Sequence, residues 1–111
     1  MATDARVAMG FKGISHDEEL SEAVEKRCQA LAKEFPETTH FEVHMELEAG
    51  EVAVRVHVSG RDTQFAAHAR AAHARTASDT ALEKLERELR RHHDKRIFGA
   101  RREAQRTRAN R

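Results

Sequence analysis

The sequence predicts an α+β fold of two layers: a four-stranded sheet with two helices packed on one face, in the order β-α-β-β-β-α. Three observations carry this reading. Apolar and polar residues alternate along "RVAMGFKGI" and along "HFEVHMELEAGEVAVRVHVSGRDTQFAAHA". In the segment after "SHDEE" and in the one after His73, apolar residues recur every three to four positions instead. Each helical segment then has one apolar stripe, and two such stripes must cover the apolar face of one sheet.

The first strand places Val7, Met9 and Phe11 on one side and Arg6, Ala8 and Lys12 on the other. Ser15, with Glu18 three residues on, fits a capping box, and the acids of "SHDEE" suit a helix N-terminus. Leu20, Ala23, Val24, Cys28, Leu31 and Phe35 form the first helical stripe, which Pro36 ends. The β-α-β unit is expected to cross over right-handedly.

Three strands with two tight turns follow. An Ala49-Gly50 turn pairs Leu47 with Val52, Met45 with Val54, Val43 with Val56 and Phe41 with Val58. A Gly60-Arg61 turn pairs Val58 with Thr63, Val56 with Phe65 and Val54 with Ala67. One face is apolar throughout, and a one-residue slip would destroy that agreement. The opposite, wet face carries Glu42, His44, Glu46, Arg55, His57, Gln64 and His68. The second helix begins near His73, buries Ala74, Ala77, Ala81, Leu82, Leu85 and Leu89, and is expected to end near Ile97. The reading is one domain over 1–97 and a basic, flexible tail over 98–111.

The 111 residues are 39% hydrophobic and 35% charged, without Trp or Tyr, which suits one small soluble domain with a polar surface. No apolar run approaches the roughly 18–20 residues that cross a bilayer, so no membrane partner is expected. "MATDARVAMG" has no signal pattern. Cys28 is alone, which excludes an internal disulfide. These features favour a reducing, cytoplasmic location.

The formal net charge of +1 hides an asymmetry. Residues 1–51 hold 5 Lys/Arg against 12 Asp/Glu, residues 52–83 hold 4 against 3, and residues 84–111 hold 11 against 4. The basic rear points to an anionic partner, with nucleic acid the first candidate.

Candidate chemistry is sparse. His44 is placed opposite Arg55 and His57 opposite Glu42, and an arginine in a metal's shell repels the cation. His92 and His93 are adjacent and point about 100° apart, unlike a helical zinc pair. The histidines therefore read as surface residues. Cys28 lies on an apolar stripe without an activating base and reads as structural. The acids lie on exposed faces rather than in a cleft, and no glycine-rich phosphate loop is present. No catalytic residue, metal site, cofactor or small-molecule substrate is expected.

The basic helix is the strongest feature. Lys84, Arg87, Arg91 and Lys95 form a ridge nearly opposite Leu82, Leu85 and Leu89, with Arg90 at its edge. Such a ridge can span several phosphates. Glu83, Glu86, Glu88 and Asp94 are expected beside it rather than within it. Phe41 and Phe65 fall on the core side, so the wet face has no aromatic platform for stacking bases. That favours recognition of backbone and shape in a folded RNA.

The element order resembles that of the ribosome hibernation-promoting factors, also called ribosome-associated inhibitors, ribosomal subunit interface proteins or sigma-54 modulation proteins. The resemblance rests on "KEFPETTHFEVHMELEAGEVAVRVHVSGRDTQFAAHA" followed by "ALEKLERELRRHHDKR", and covers roughly residues 5–97. Its most specific parts are "HVSG" at His57–Gly60 and the "KLxRxLxxHxxK" pattern at Lys84–Lys95.

Membership implies a noncatalytic partner of the 30S subunit and 70S ribosome. It would contact 16S rRNA in the channel used by messenger and transfer RNA, and idle translation in stationary phase or stress. The implied rRNA contacts are Lys84, Arg87, Arg90, Arg91, Lys95 and Arg96 on the second helix, with Arg27 and Lys26 on the first. Arg101, Arg102, Arg106 and Arg108 of the tail are further phosphate contacts. The chain departs from the pattern at Ala30, where relatives often carry a lysine, and at "AAHARTASD", which lacks an acidic-aromatic segment. Its length matches the short members, which have no ribosome-pairing domain. A general RNA- or DNA-binding module of the same fold is the alternative; an enzyme with a site on the wet face is a third reading.

Overall fold

The computed structural model describes residues 5–109, with side chains as far as Asp94. The elements are β1 (Arg6–Lys12), α1 (Glu18–Glu34), β2 (Thr38–Glu48), β3 (Glu51–Gly60), β4 (Thr63–Ala71) and α2 (Ala74–Ala109). The sheet order is β1-β2-β3-β4, with β1 parallel to β2 and the other neighbours antiparallel. This is the predicted α+β arrangement. Val24, Cys28 and Leu31 of α1 and Ala81, Leu82, Leu85 and Leu89 of α2 are buried with Phe41, Val43, Met45, Val54, Val56 and Val58 of the sheet. Each large apolar side chain so buried contributes roughly 1.5–3 kcal/mol.

Asp17, not Ser15, caps α1. Its carboxylate accepts from the backbone N–H groups of Glu19 at 3.0 Å and Leu20 at 3.3 Å. An aspartate two residues nearer the apolar stripe does the same work with a full negative charge at the helix's positive end. Pro36 follows the cap residue Phe35, as the sequence predicts. Gln29 ties α1 to the start of the chain: its Nε2 donates to the Ala5 carbonyl at 2.8 Å, and its Oε1 accepts from the Ala5 N–H at 3.0 Å.

The first hairpin has the predicted register, with Leu47, Met45, Val43 and Phe41 opposite Val52, Val54, Val56 and Val58. Ala49 and Gly50 both take positive φ, 49° and 82°, as a two-residue turn of this hand requires. The second hairpin differs. Its turn is Arg61-Asp62, so Val58 faces Phe65, Val56 faces Ala67 and Val54 faces Ala69. Moving the turn by one residue moved every partner by two, which leaves each side chain on its expected face.

Gly60 explains the displaced turn. It pairs with Thr38 and Thr63 inside the sheet. A Cβ there would lie 1.8 Å from the backbone oxygen of Glu37. That oxygen also accepts from the Arg61 N–H at 3.0 Å. The glycine of "HVSG" therefore serves a close backbone crossing, not a turn.

The backbone of α2 continues past Ile97 to Ala109. Apart from one threonine, residues 100–109 are alanine, arginine, glutamate and glutamine, all strong helix formers. Low apolar content removes the packing signal but not this local preference.

Candidate nucleic-acid interface

Three turns of α2 decide where its charges go. Leu82, Leu85 and Leu89 are buried, which fixes the rotation of the helix against the sheet. Lys84, Arg87 and Arg91 are thereby carried to the flank beside β4. The Lys84 Nζ donates to the backbone carbonyl of His68 at 3.1 Å. Lys84, Arg87, Glu88 and Arg91 form one wall of a groove of about 360 Å³, and Phe65 to His68 form the other. The ridge is thus the lip of a groove at the sheet's edge rather than a free convex surface.

Glu88 lies within this lip. Its carboxylate is 3.6 Å from Arg91. Glu88, expected beside the ridge, thus lines the same groove as Lys84, Arg87 and Arg91.

The opposite flank of α2 meets α1. Arg90 bonds Glu34 of α1 and lies 3.7 Å from Glu86 of its own helix. The Glu34 contact pushes the Arg90 pKa further up. Arg27 of α1 reaches Asp79 of α2 at 3.6 Å. The two cross-pairs run in step, so the helices lie parallel. Arg27, Asp79 and Arg75 line a small cleft on this seam. Arg75 was not among the predicted residues, and only its nearness to Arg27 across the seam draws attention to it. Lys26 is exposed on α1 and makes no ion pair among the described residues.

The predicted residues therefore divide. Lys84, Arg87 and Arg91 share the β4 flank, whereas Arg90 and Arg27 belong to the helix seam. Lys95, Arg96, Arg101, Arg102, Arg106 and Arg108 are on the α2 backbone, and their side chains lie outside the described residues.

His92 and His93 are not plain surface residues. The His92 ring packs edge-on to Phe65 with centroids 5.1 Å apart, and His93 packs on Phe35 at 5.9 Å. Pointing about 100° apart lets the pair reach β4 and the end of α1 at once, closing the core at that end. On the wet face His44 does oppose Arg55, and His57 opposes Glu42. A hydrogen bond from His40, followed by the nearby His44 and His57, holds the Glu42 carboxyl below its usual pKa. Cys28 is fully buried, and desolvation pushes its thiol up to about 12 against the opposing effect of Arg27.

These features define a small two-layer α+β domain that gathers cations along one sheet edge. The chain belongs to the sigma 54 modulation protein / S30EA ribosomal protein family, whose sequence pattern matches residues 7–97. Several solved structures share its fold. A ribosomal subunit interface protein from Coxiella burnetii is 18% identical, with a TM-score of 0.70 over 80% of this chain and 98% of that one. The N-terminal domain of Protein Y from Thermus thermophilus is also 18% identical, with a TM-score of 0.68 over 78% of this chain and 97% of that one. No curated protein matches the chain.

Proposed function

We propose that this protein is a noncatalytic ribosome-binding factor. It occupies the messenger and transfer RNA channel of the small subunit through 16S rRNA phosphates and idles translation under stress or in stationary phase. The observation that carries this is the convergence of Lys84, Arg87 and Arg91 on one groove in a member of a ribosomal protein family. Lys26, Lys95 and Arg96 extend the contact surface. Arg90 and Arg27 contribute less, because RNA must compete with Glu34, Glu86 and Asp79 for them. Arg101, Arg102, Arg106 and Arg108 add phosphate affinity along the same helix.

The partners in this reading are the 30S subunit and the 70S ribosome, in the cytoplasm. Sedimentation of cell extract through a sucrose gradient tests it. Comigration with 30S and 70S particles that survives moderate salt is the expected result. Binding that vanishes at moderate salt, with equal affinity for any RNA, makes the chain a general nucleic-acid module instead.

A further inference from the structure

We infer that the β4–α2 groove docks a second kind of partner: an extended acidic peptide segment of another protein, added as a further strand to the open edge of β4 beneath Lys84, Arg87 and Arg91. The inference goes beyond the RNA reading above and does not depend on it.

β4 is an edge of the sheet. The His68 carbonyl accepts from Lys84, so it points away from β3. In an antiparallel ladder a residue's N–H and C=O share a side, and the side alternates along the strand. Gln64, Ala66 and His68 therefore all open outward, and donors alternate with acceptors along the edge. All three residues are exposed. The His68 carbonyl keeps a second lone pair beside its bond to Lys84. An extended peptide offers the matching alternation in return, which is the basis of strand addition. RNA phosphates offer acceptors alone and would set them against the Ala66 and His68 carbonyls.

The cations run alongside this edge. Lys84 meets β4 at His68, and His92 of the same helix meets it at Phe65. The helix and the strand thus run in opposite directions and keep in step. Lys84 to Arg91 spans about 10 Å of helix, and Gln64 to His68 spans about 13 Å of strand. In an added strand every second side chain stands on the helix side of the sheet. There it meets Lys84, Arg87 and Arg91, which line the groove. Carboxylates at alternate positions fit that row. Pairing β4 with β4 of a second copy would instead bring the two sets of cations together, and charges on an edge strand oppose such pairing. Glu88, 3.6 Å from Arg91, is the carboxylate that the peptide must displace.

The test titrates the full ¹⁵N-labelled chain with a ten-residue peptide that alternates threonine with glutamate. The Gln64, Ala66 and His68 amides should shift saturably and gain protection from hydrogen exchange. A peptide with lysine in place of glutamate should bind at least about tenfold more weakly, since three ion pairs are lost. Two further peptides are N-methylated, each at one of the two alternate sets of residues. Only one set bonds to β4, so one peptide should lose binding and the other keep it. Binding kept by both, or lost by both, overturns the added strand. Shifts confined to α2 overturn it too and leave a surface for any polyanion. No shift at millimolar peptide also overturns it and reduces the three cations to guards against self-pairing. Each of these failures leaves the RNA reading standing, because the sucrose gradient decides that reading separately.

Discussion

The ammonium of Lys84 lies 3.1 Å from the backbone oxygen of His68, so a charged side chain of the core-closing helix is tied to the open edge of the sheet. The contact fixes where the positive charge sits. It also makes Lys84 part of the groove's shape, and not only of its field.

Reversing charge at two groove positions should therefore abolish ribosome binding without unfolding the domain. Lys84 and Arg91 are both exposed, whereas the leucines that pack α2 on the sheet are buried. The variant Lys84→Glu with Arg91→Glu is expected to leave the circular dichroism spectrum intact and to run at the top of a sucrose gradient. Normal cosedimentation of this variant would place the interface elsewhere.

The two flanks of α2 should separate in a salt titration. Each phosphate neutralised on single-stranded RNA adds about −0.7 to the slope of log affinity against log salt. Arg87→Ala should reduce the steepness by about that amount, because no ion pair holds Arg87 among the described residues. Arg90→Ala should alter the slope less, and should lower the urea midpoint slightly through the loss of its pairs with Glu34 and Glu86.

Gly60→Ala should be strongly destabilising. The new methyl group meets the Glu37 backbone oxygen, which has no rotamer into which to retreat. A loss of roughly 2–4 kcal/mol is expected, read as a lower urea midpoint with an unchanged slope. The same substitution at Gly50 strains only a left-handed turn residue with open space around it, and should cost about 1 kcal/mol.

Cys28 should make stability fall in alkali. Its thiol has a folded pKa of about 12 against an ordinary value of 9.0. Between these values the unfolded chain has lost the proton and the folded chain keeps it, so stability declines as pH rises from about 9 toward 12 and is unaffected below. The decline from this group reaches on the order of 4 kcal/mol at most. Cys28→Ala should flatten the profile above pH 9 relative to the parent chain, as measured by denaturant midpoints across that range.

The parts of the fold legible in the sequence are those set by local preference and alternation. The Ala49-Gly50 turn could be read because its backbone requires residues that tolerate positive φ. The second turn was displaced by one residue because alternation determines only parity. Gly60 looked like a turn residue, and nothing local reveals that a loop far away in sequence crosses over it. Ser15 and Asp17 are both good caps, and the stripe beginning at Leu20 does not choose between them.

The candidate site shows the same division. Helical spacing was enough to group Lys84, Arg87 and Arg91. It could not reveal that Arg90 faces Glu34, or that Glu88 shares the groove, because both depend on how α2 is rolled against its neighbours. The roles of His92 and His93 were hidden for the same reason, since their partners Phe65 and Phe35 come from distant elements.

The parallel alignment of α1 and α2 bears on Arg90 in particular. Peptide dipoles sum along a helix, so the C-terminal end of α1 carries partial negative charge on carbonyls that no further turn satisfies. Glu34 is the last residue of that helix. Arg90 therefore faces a fixed backbone field as well as a carboxylate, and Glu34→Gln should weaken the latch without releasing it. A side chain that the sequence groups with the cations facing RNA is also the counter-charge beside which α1 ends.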